Sequence, residues 1–201
     1  MKSLTVLISG RQGSGKTSLA VEIGKRINVD KVLNAHVEMI TFAKPLYDIH
    51  DMILKYMSDL GFEVPKKDGA LLQYLGTDWG RKTFGDNVWV DLAQKKINKW
   101  DIFARNNLFQ KDQIYIVSDA RFPNELVGFT NSLKIRLECP ETVRKERILA
   151  TPGQNWRENS NHPSETSLDF FDGWDMVLDT DVWNLNQITD QVINVIKKEL
   201  V

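Results

Sequence analysis

Gly10-Arg11-Gln12-Gly13-Ser14-Gly15-Lys16-Thr17 carries glycine, lysine and a hydroxyl at the Walker A spacing G-x-x-x-x-G-K-[ST]. Glycines at such places let backbone N–H groups turn inward around phosphate oxygens, and a helix starting at the lysine adds the positive end of its dipole. In that frame Gly10, Gly13, Ser14 and Gly15 form a cradle, and Ser18 follows at the helix start. Lys16 reaches the β- and γ-phosphates, and the Thr17 hydroxyl can ligate Mg²⁺. The chemistry served is the binding of a nucleoside triphosphate. A chance glycine-rich turn is the rival reading, and the context argues against it. Leu4 to Ile8 is an apolar run before the loop, while Leu19, Ala20, Ile23 and Ile27 recur with helical period after it.

Other groups could serve the same chemistry. Ile114-Tyr115-Ile116-Val117-Ser118-Asp119 is an apolar run ending in a carboxylate, the position from which Asp119 could hold Mg²⁺ directly or through water. A plain cap on the next turn is the alternative. Arg121 follows at the same edge and could clamp a phosphate bidentately, or form a surface salt bridge. Arg144 and Arg147 share a helix face at i and i+3 spacing, and Arg157 lies in the polar stretch beyond. We expect these arginines to converge on the triphosphate, with Lys16, Arg121, Arg147 and Arg157 as the catalytic set and Arg144 on ATP. Solvated helix charges are the competing account.

Leu75-Gly76-Thr77-Asp78-Trp79-Gly80-Arg81 interrupts a helical pattern with two glycines. Trp79 could stack on a base and Arg81 could hold a phosphate; a core tryptophan at a helix corner is the rival. Asn98-Lys99-Trp100-Asp101 spells the guanine reader N-K-x-D but ends a helical run before the Asp119 strand, so we read it as coincidental. His36, His50 and His162 are too scattered to suggest a metal site.

These residues need a frame. Leu4–Ser9, Val37–Phe42, Ile114–Ser118, Leu133–Glu138 and Met176–Leu178 read as strands, mostly apolar on consecutive positions, as strands covered on both faces are. Helical patterns separate them. The fold class expected is α/β, a five-stranded parallel sheet with helices on both faces. The last helix, Asn186 to Leu200, puts Ile188, Val192, Ile193 and Ile196 on one face. The second crossover, 45–111, is a long helical insertion suited to an acceptor site, with helical patterns at Pro45 onward, Leu71–Phe84 and Val88–Trp100 around a Pro65–Gly69 loop. The polar segment 151–165, containing His162 and Glu165, reads as a short lid. Residues 1–201 form one domain on this reading.

The bulk numbers fit. A chain of 201 residues, 42% hydrophobic and 26% charged, is that of an ordinary globular protein. Its net charge of −1 gives no global field for a nucleic acid polymer. The lone Cys139 excludes an internal disulfide and a cysteine zinc site, and reads as a buried thiol. No apolar run approaches the ~18 residues of a membrane span. We expect no targeting segment and a cytoplasmic protein, in the host cytoplasm if phage-encoded.

Several segments together resemble the bacteriophage-type deoxynucleoside monophosphate kinases, a branch of the nucleoside-monophosphate-kinase-like P-loop enzymes. They are the phosphate loop, Phe42-Ala43-Lys44-Pro45-Leu46, Leu72-Gln73-Tyr74-Leu75-Gly76-Thr77-Asp78, and Ser118-Asp119-Ala120-Arg121-Phe122-Pro123-Asn124-Glu125. To these add His162-Pro163-Ser164-Glu165, followed by Asp175–Asp179. The resemblance implies transfer of the ATP γ-phosphate to a deoxynucleoside 5′-monophosphate, with Mg²⁺ as cofactor. It assigns Gly13 to Thr17 to ATP and metal, Asp119 to the metal, and Arg121 with Gly76, Thr77 and Asp78 to the monophosphate. Lys44, Trp79, Arg81 and Glu165 are expected on the acceptor side as well. Many relatives have Asp directly after the loop lysine, whereas Thr17-Ser18 stand here, so metal handling can differ. The partners implied are ATP and a (deoxy)nucleoside monophosphate, with no membrane partner; a homodimer is compatible. Animal phosphomevalonate kinases look similar in the same places, which leaves a phosphomevalonate-like acceptor as the alternative. A switch or motor ATPase is a further one, though no residue to orient a hydrolytic water is identifiable.

Overall fold

A computed structural model describes residues 1–30, 33–106, 111–152, 156 and 163–200. Its strands are β1 Ser3–Gly10, β2 Ala35–Ile40, β3 Asp112–Ala120, β4 Ser132–Glu138 and β5 Met176–Asp179. Its helices are α1 Lys16–Val29, α2 Lys44–Asp59, α3 Gly69–Gln73, α4 Lys82–Phe84, α5 Val88–Asn106, α6 Pro123–Val127, α7 Glu141–Leu149, α8 Pro163–Thr166 and α9 Leu185–Leu200. A π-helix, Tyr74–Arg81, runs between α3 and α4.

The strands form one sheet in the order β2-β3-β1-β4-β5 with every pairing parallel, as the apolar runs lead one to expect. Alternate side chains of the central strands enter two cores. Leu4, Val6, Ile8, Ile114 and Ile116 meet Leu19, Ile23 and Ile27 of α1 and Ile188, Val192 and Ile196 of α9. Leu7, Tyr115 and Val117 meet Trp89, Val90, Ala93 and Ile97 of α5 on the other face. Burial of each such Leu or Ile is worth roughly 1.5–3 kcal/mol, so two filled faces hold the sheet rigid beneath its loops.

That sheet fixes where a ligand can sit. β1 leads through α1 to β2 on one side, while β4 leads to β5 on the other. The loops after β1 and β4 therefore diverge, opening a crevice at the carboxyl edge. β3 adds a bulge at this edge: β1 and β3 pair in register to Leu7 and Val117, then resume at Ser9 and Ala120. The extra residue falls at Ser118–Asp119 and re-aims the strand end toward the crevice.

Three expectations change. β2 runs Ala35–Ile40, two residues earlier than the apolar run suggested, because Phe42 is buried in the α5-side core from beyond the strand end. The 71–84 pattern divides into α3, the π-helix and α4. Cys139, read as a buried thiol, is only partly buried. The Asn98–Asp101 motif lies within α5, where Asp101 accepts the Tyr115 hydroxyl at 2.7 Å, a structural use. Of the expected lid, 153–155 and 157–162 lie outside the described residues. No helix among the described residues is long and apolar enough to cross a membrane.

Candidate active site

The phosphate loop owes its shape to two left-handed glycines and to a tight neighbour. Gly13 and Gly15 have φ of 79° and 91°, where L side chains are strained. A Cβ on Gly13 would also lie 2.8 Å from the Arg144 carbonyl oxygen of α7, so the loop is pressed against that helix. Arg144 grips it further: Nη1 donates to Gln12 O at 3.0 Å and Nε to Cys139 O at 3.1 Å. The Arg144 guanidinium also lies 5.4 Å from the Trp156 ring centroid. Arg144 is buried and braces the loop.

Lys16 opens α1 with its Nζ folded onto the loop, donating to Gly10 O at 2.6 Å and Arg11 O at 2.8 Å. Burial, and next the Arg121 charge, lower its pKa to about 7; Arg136 and Arg144 add to this, and Glu165 opposes it. A buried ammonium among arginines is short of negative charge. Ser14 Oγ is fully buried and, among the described residues, has no hydrogen-bond partner. An orphaned hydroxyl of this kind costs about 1–3 kcal/mol, and an anion held in the loop would satisfy it. Thr17 and Ser18 are exposed at the first turn of α1.

Across the crevice, Asp119 accepts Phe42 N–H at 3.1 Å on Oδ1 and Ala43 N–H at 3.0 Å on Oδ2. It pins the chain leaving β2 to the end of β3. Burial raises its pKa, and those two amides with Arg121 oppose the rise. Arg121 Nη1 donates to Glu165 Oε1 and, at 3.3 Å, to Ser164 O. The Arg121 and Phe122 amides donate to Glu125 Oε2 at 2.6 and 3.1 Å, and Arg81 Nη2 donates to Glu125 Oε1 at 2.9 Å. Arg81 also stacks 4.3 Å from the centroid of the Phe122 ring and donates to Asp86 O.

A cavity of about 520 Å³ opens beside this network, lined by Gln73, Thr77, Asp78, Arg81, Asp86, Phe122, Pro123, Asn124 and Pro163. A smaller hollow of about 310 Å³ lies on the other side of the loop, between Arg11, Arg136, Leu137, Glu138, Cys139, Pro140, Arg144 and Asp179. Asp169 ties that side to the loop through Arg11 at 2.7 Å and Arg136 at 3.5 Å.

Of the residues expected at the site, Gly10, Gly13, Ser14, Gly15, Lys16, Thr17, Ser18, Asp119, Arg121 and Arg144 gather around the crevice, and Thr77, Asp78 and Arg81 line the large cavity. Others do not. Arg147 donates to Thr180 Oγ1 at 2.9 Å and Thr180 O at 2.6 Å after β5, and to Cys139 Sγ at 3.4 Å at the edge of the smaller hollow. Positions i and i+3 share a face only loosely, and here Arg144 is buried while Arg147 is exposed. Trp79 packs edge-on against Phe84, centroids 5.1 Å apart, and Gly76 sits behind the cavity with its carbonyl taking the Trp89 Nε1–H at 2.9 Å. Lys44 pairs with Asp48 on the exposed side of α2. Glu165 faces Arg121 and the loop, not the cavity. Arg157 and His162 lie outside the described residues. Glu125 was missed; its position three residues into the Phe122-Pro123 helix start, where a carboxylate reaches back to free amides, was the available signal.

The strand order, the covering helices and the loop define a parallel α/β fold with a phosphate-binding-type loop between β1 and α1. No family model matches the chain. A deoxynucleoside-5′-monophosphate kinase of Escherichia phage T5 is 28% identical over 109 residues, which are 53% of this chain and 36% of that protein. The match therefore spans little more than a third of the relative's length. Among solved structures, TT1252 from Thermus thermophilus superposes with a TM-score of 0.56 at 15% identity, covering 100% of both chains. The tunicamycin resistance protein of Deinococcus radiodurans gives 0.52 at 16% identity, over 97% of this chain and 96% of that one. These two likenesses show the fold, and the phage enzyme agrees with the resemblance carried by the motifs.

Proposed function

We propose that the protein transfers the γ-phosphate of ATP to a deoxynucleoside 5′-monophosphate, giving ADP and the diphosphate. The observation that carries this is the continuous set of hydrogen bonds Gln12–Glu165–Arg121–Glu125–Arg81, running from the phosphate loop to a separate cavity. A hydrolase needs room for one nucleotide and a water. Here a second compartment of about 520 Å³, within the range of small-ligand sites, lies at the far end of that hydrogen-bonded chain.

The acceptor phosphate is already anionic, so no general base is required. The chain's task is to align two anions and offset their repulsion. Lys16 would leave the loop carbonyls for the β- and γ-phosphates, and Ser14 Oγ would gain an acceptor. Arg121, between loop and cavity, would bridge donor and acceptor phosphates. Thr17, exposed beside Lys16, offers the hydroxyl for Mg²⁺; Asp119, with both oxygens accepting amides, would reach it through water. A magnesium ion held there would offset part of the triphosphate's charge. Gln73, Thr77, Asp78 and Asn124 supply polar edges for a base, with Phe122 as an apolar wall. Such substrates suit a cytoplasmic enzyme.

A coupled ATP-consumption assay across deoxy- and ribonucleoside monophosphates, with phosphomevalonate included, tests the reading. Turnover with some deoxynucleoside monophosphates is expected. Turnover with phosphomevalonate alone would shift the acceptor class, and ATP loss indifferent to every acceptor would reject the kinase.

A further inference from the structure

Glu165 sits where a phosphate's own partners converge. Its Oε2 accepts the Gln12 N–H of the loop at 3.2 Å, and its Oε1 accepts Arg121 Nη1. It is also the negative group that most opposes the loss of the Lys16 proton. A loop amide, an arginine and a nearby lysine are the donors a phosphoryl group needs, and carboxylate and phosphoryl oxygens accept the same N–H groups in similar geometry. The pair is shielded, with Arg121 and Glu165 side chains 28% and 19% exposed, so neither ion is readily left alone.

We propose that Glu165 is an internal stand-in for a phosphate: it occupies the anion site until a polyphosphate displaces it, and so determines which anions the site accepts. This rests on the loop being a phosphate site, as under the proposed function, and not on the identity of the acceptor. A small oxyanion merely exchanges its charge for that of Glu165 and gains little. A triphosphate brings several charges and reaches Lys16 and Ser14 as well, so it wins the exchange. Glu165 thereby sets a threshold, the same cost for every anion, that a polyphosphate clears and orthophosphate does not.

Calorimetric titration of tripolyphosphate and orthophosphate into wild type and Glu165→Gln tests this. Glutamine keeps the volume and an oxygen for Gln12 N–H but removes the charge that holds Arg121. The variant should bind tripolyphosphate about tenfold tighter, or about 1.4 kcal/mol, with a comparable gain for orthophosphate. Equal or weaker tripolyphosphate binding would overturn the proposal. A second measurement, on the wild type alone, avoids dependence on the variant's folding. Tripolyphosphate should speed hydrogen exchange at residues 164–169 while protecting 12–17, and slower or unchanged exchange at 164–169 would equally overturn it. A chain that behaves this way yet phosphorylates no monophosphate retains this inference and loses only the kinase reading.

Discussion

Lys16 shows how one residue's chemistry follows from where the fold puts it. The motif announced the lysine, but only the structure shows the ammonium buried on two carbonyls beside Arg121, with a pKa near 7. Phosphate oxygens would restore the lost compensation and return the group toward its ordinary 10.5. Binding of ATP at pH 8 should therefore take up about 0.9 proton, falling toward zero near pH 5.5. Titrations in buffers of different ionisation enthalpy read this directly, and no uptake at pH 8 would contradict it. The sign carries over to stability. The folded pKa lies below the unfolded one, so the unfolded chain holds more protons between pH 7 and 10.5. The cost of burying Lys16 is complete below about pH 7 and disappears as pH rises through that window. Side chains whose work is to hold others are harder to read from sequence. The place of Glu125 at a helix start hints at its hold on the amides of Arg121 and Phe122, but nothing local in it names Arg81, far off in the chain.

At the level of elements, periodicity located the helices but not their kind. The stretch around Gly76 and Gly80 keeps an apolar rhythm through Leu75 and Trp79, yet it winds as a π-helix, a form frequent at functional sites. Its reason is long-range. Gly80 lies against the Trp89 ring, and a Cβ there would stand 2.3 Å from Cζ2 and 2.6 Å from Leu75 O. Gly80→Ala should push the π-helix off α5, lowering the melting temperature by roughly 4–10 °C, the scale of 2–3 kcal/mol of overpacking in a chain this size. Because Thr77, Asp78 and Arg81 ride on this element, the acceptor KM should rise several-fold while the ATP KM holds. Steady-state kinetics with each substrate varied checks the split. Arg147 belongs here too: spacing gives a shared helix face, but not whether the partner across it is the loop or Thr180.

For the whole molecule, the sheet was legible because burial on both faces leaves a plain trace, consecutive apolar residues such as Leu4–Ile8 and Ile114–Val117. The parallel direction followed from helices between strands, whereas the order β2-β3-β1-β4-β5 did not. The meeting of distant segments was not legible, since nothing local in Glu165 names Gln12 or Arg121. That meeting predicts communication between compartments. If both ligands require Glu165 to release Arg121, the one that arrives first has already met that cost for the second. A non-hydrolysable ATP analogue and a deoxynucleoside monophosphate should thus strengthen each other's binding by about 5–10-fold, reciprocally, in wild type and far less in Glu165→Gln. Paired titrations with and without the other ligand decide it, and equal coupling in the two proteins would refute the shared gate.

Gly13 pressed onto the carbonyl of Arg144 has a consequence on an evolutionary timescale. A side chain at position 13 would require α7 to retreat, and a retreating α7 would withdraw the guanidinium from Gln12. Because the atom that blocks position 13 belongs to the backbone, no exchange of the side chain at 144 makes room, and the glycine is irreplaceable for as long as α7 keeps its place.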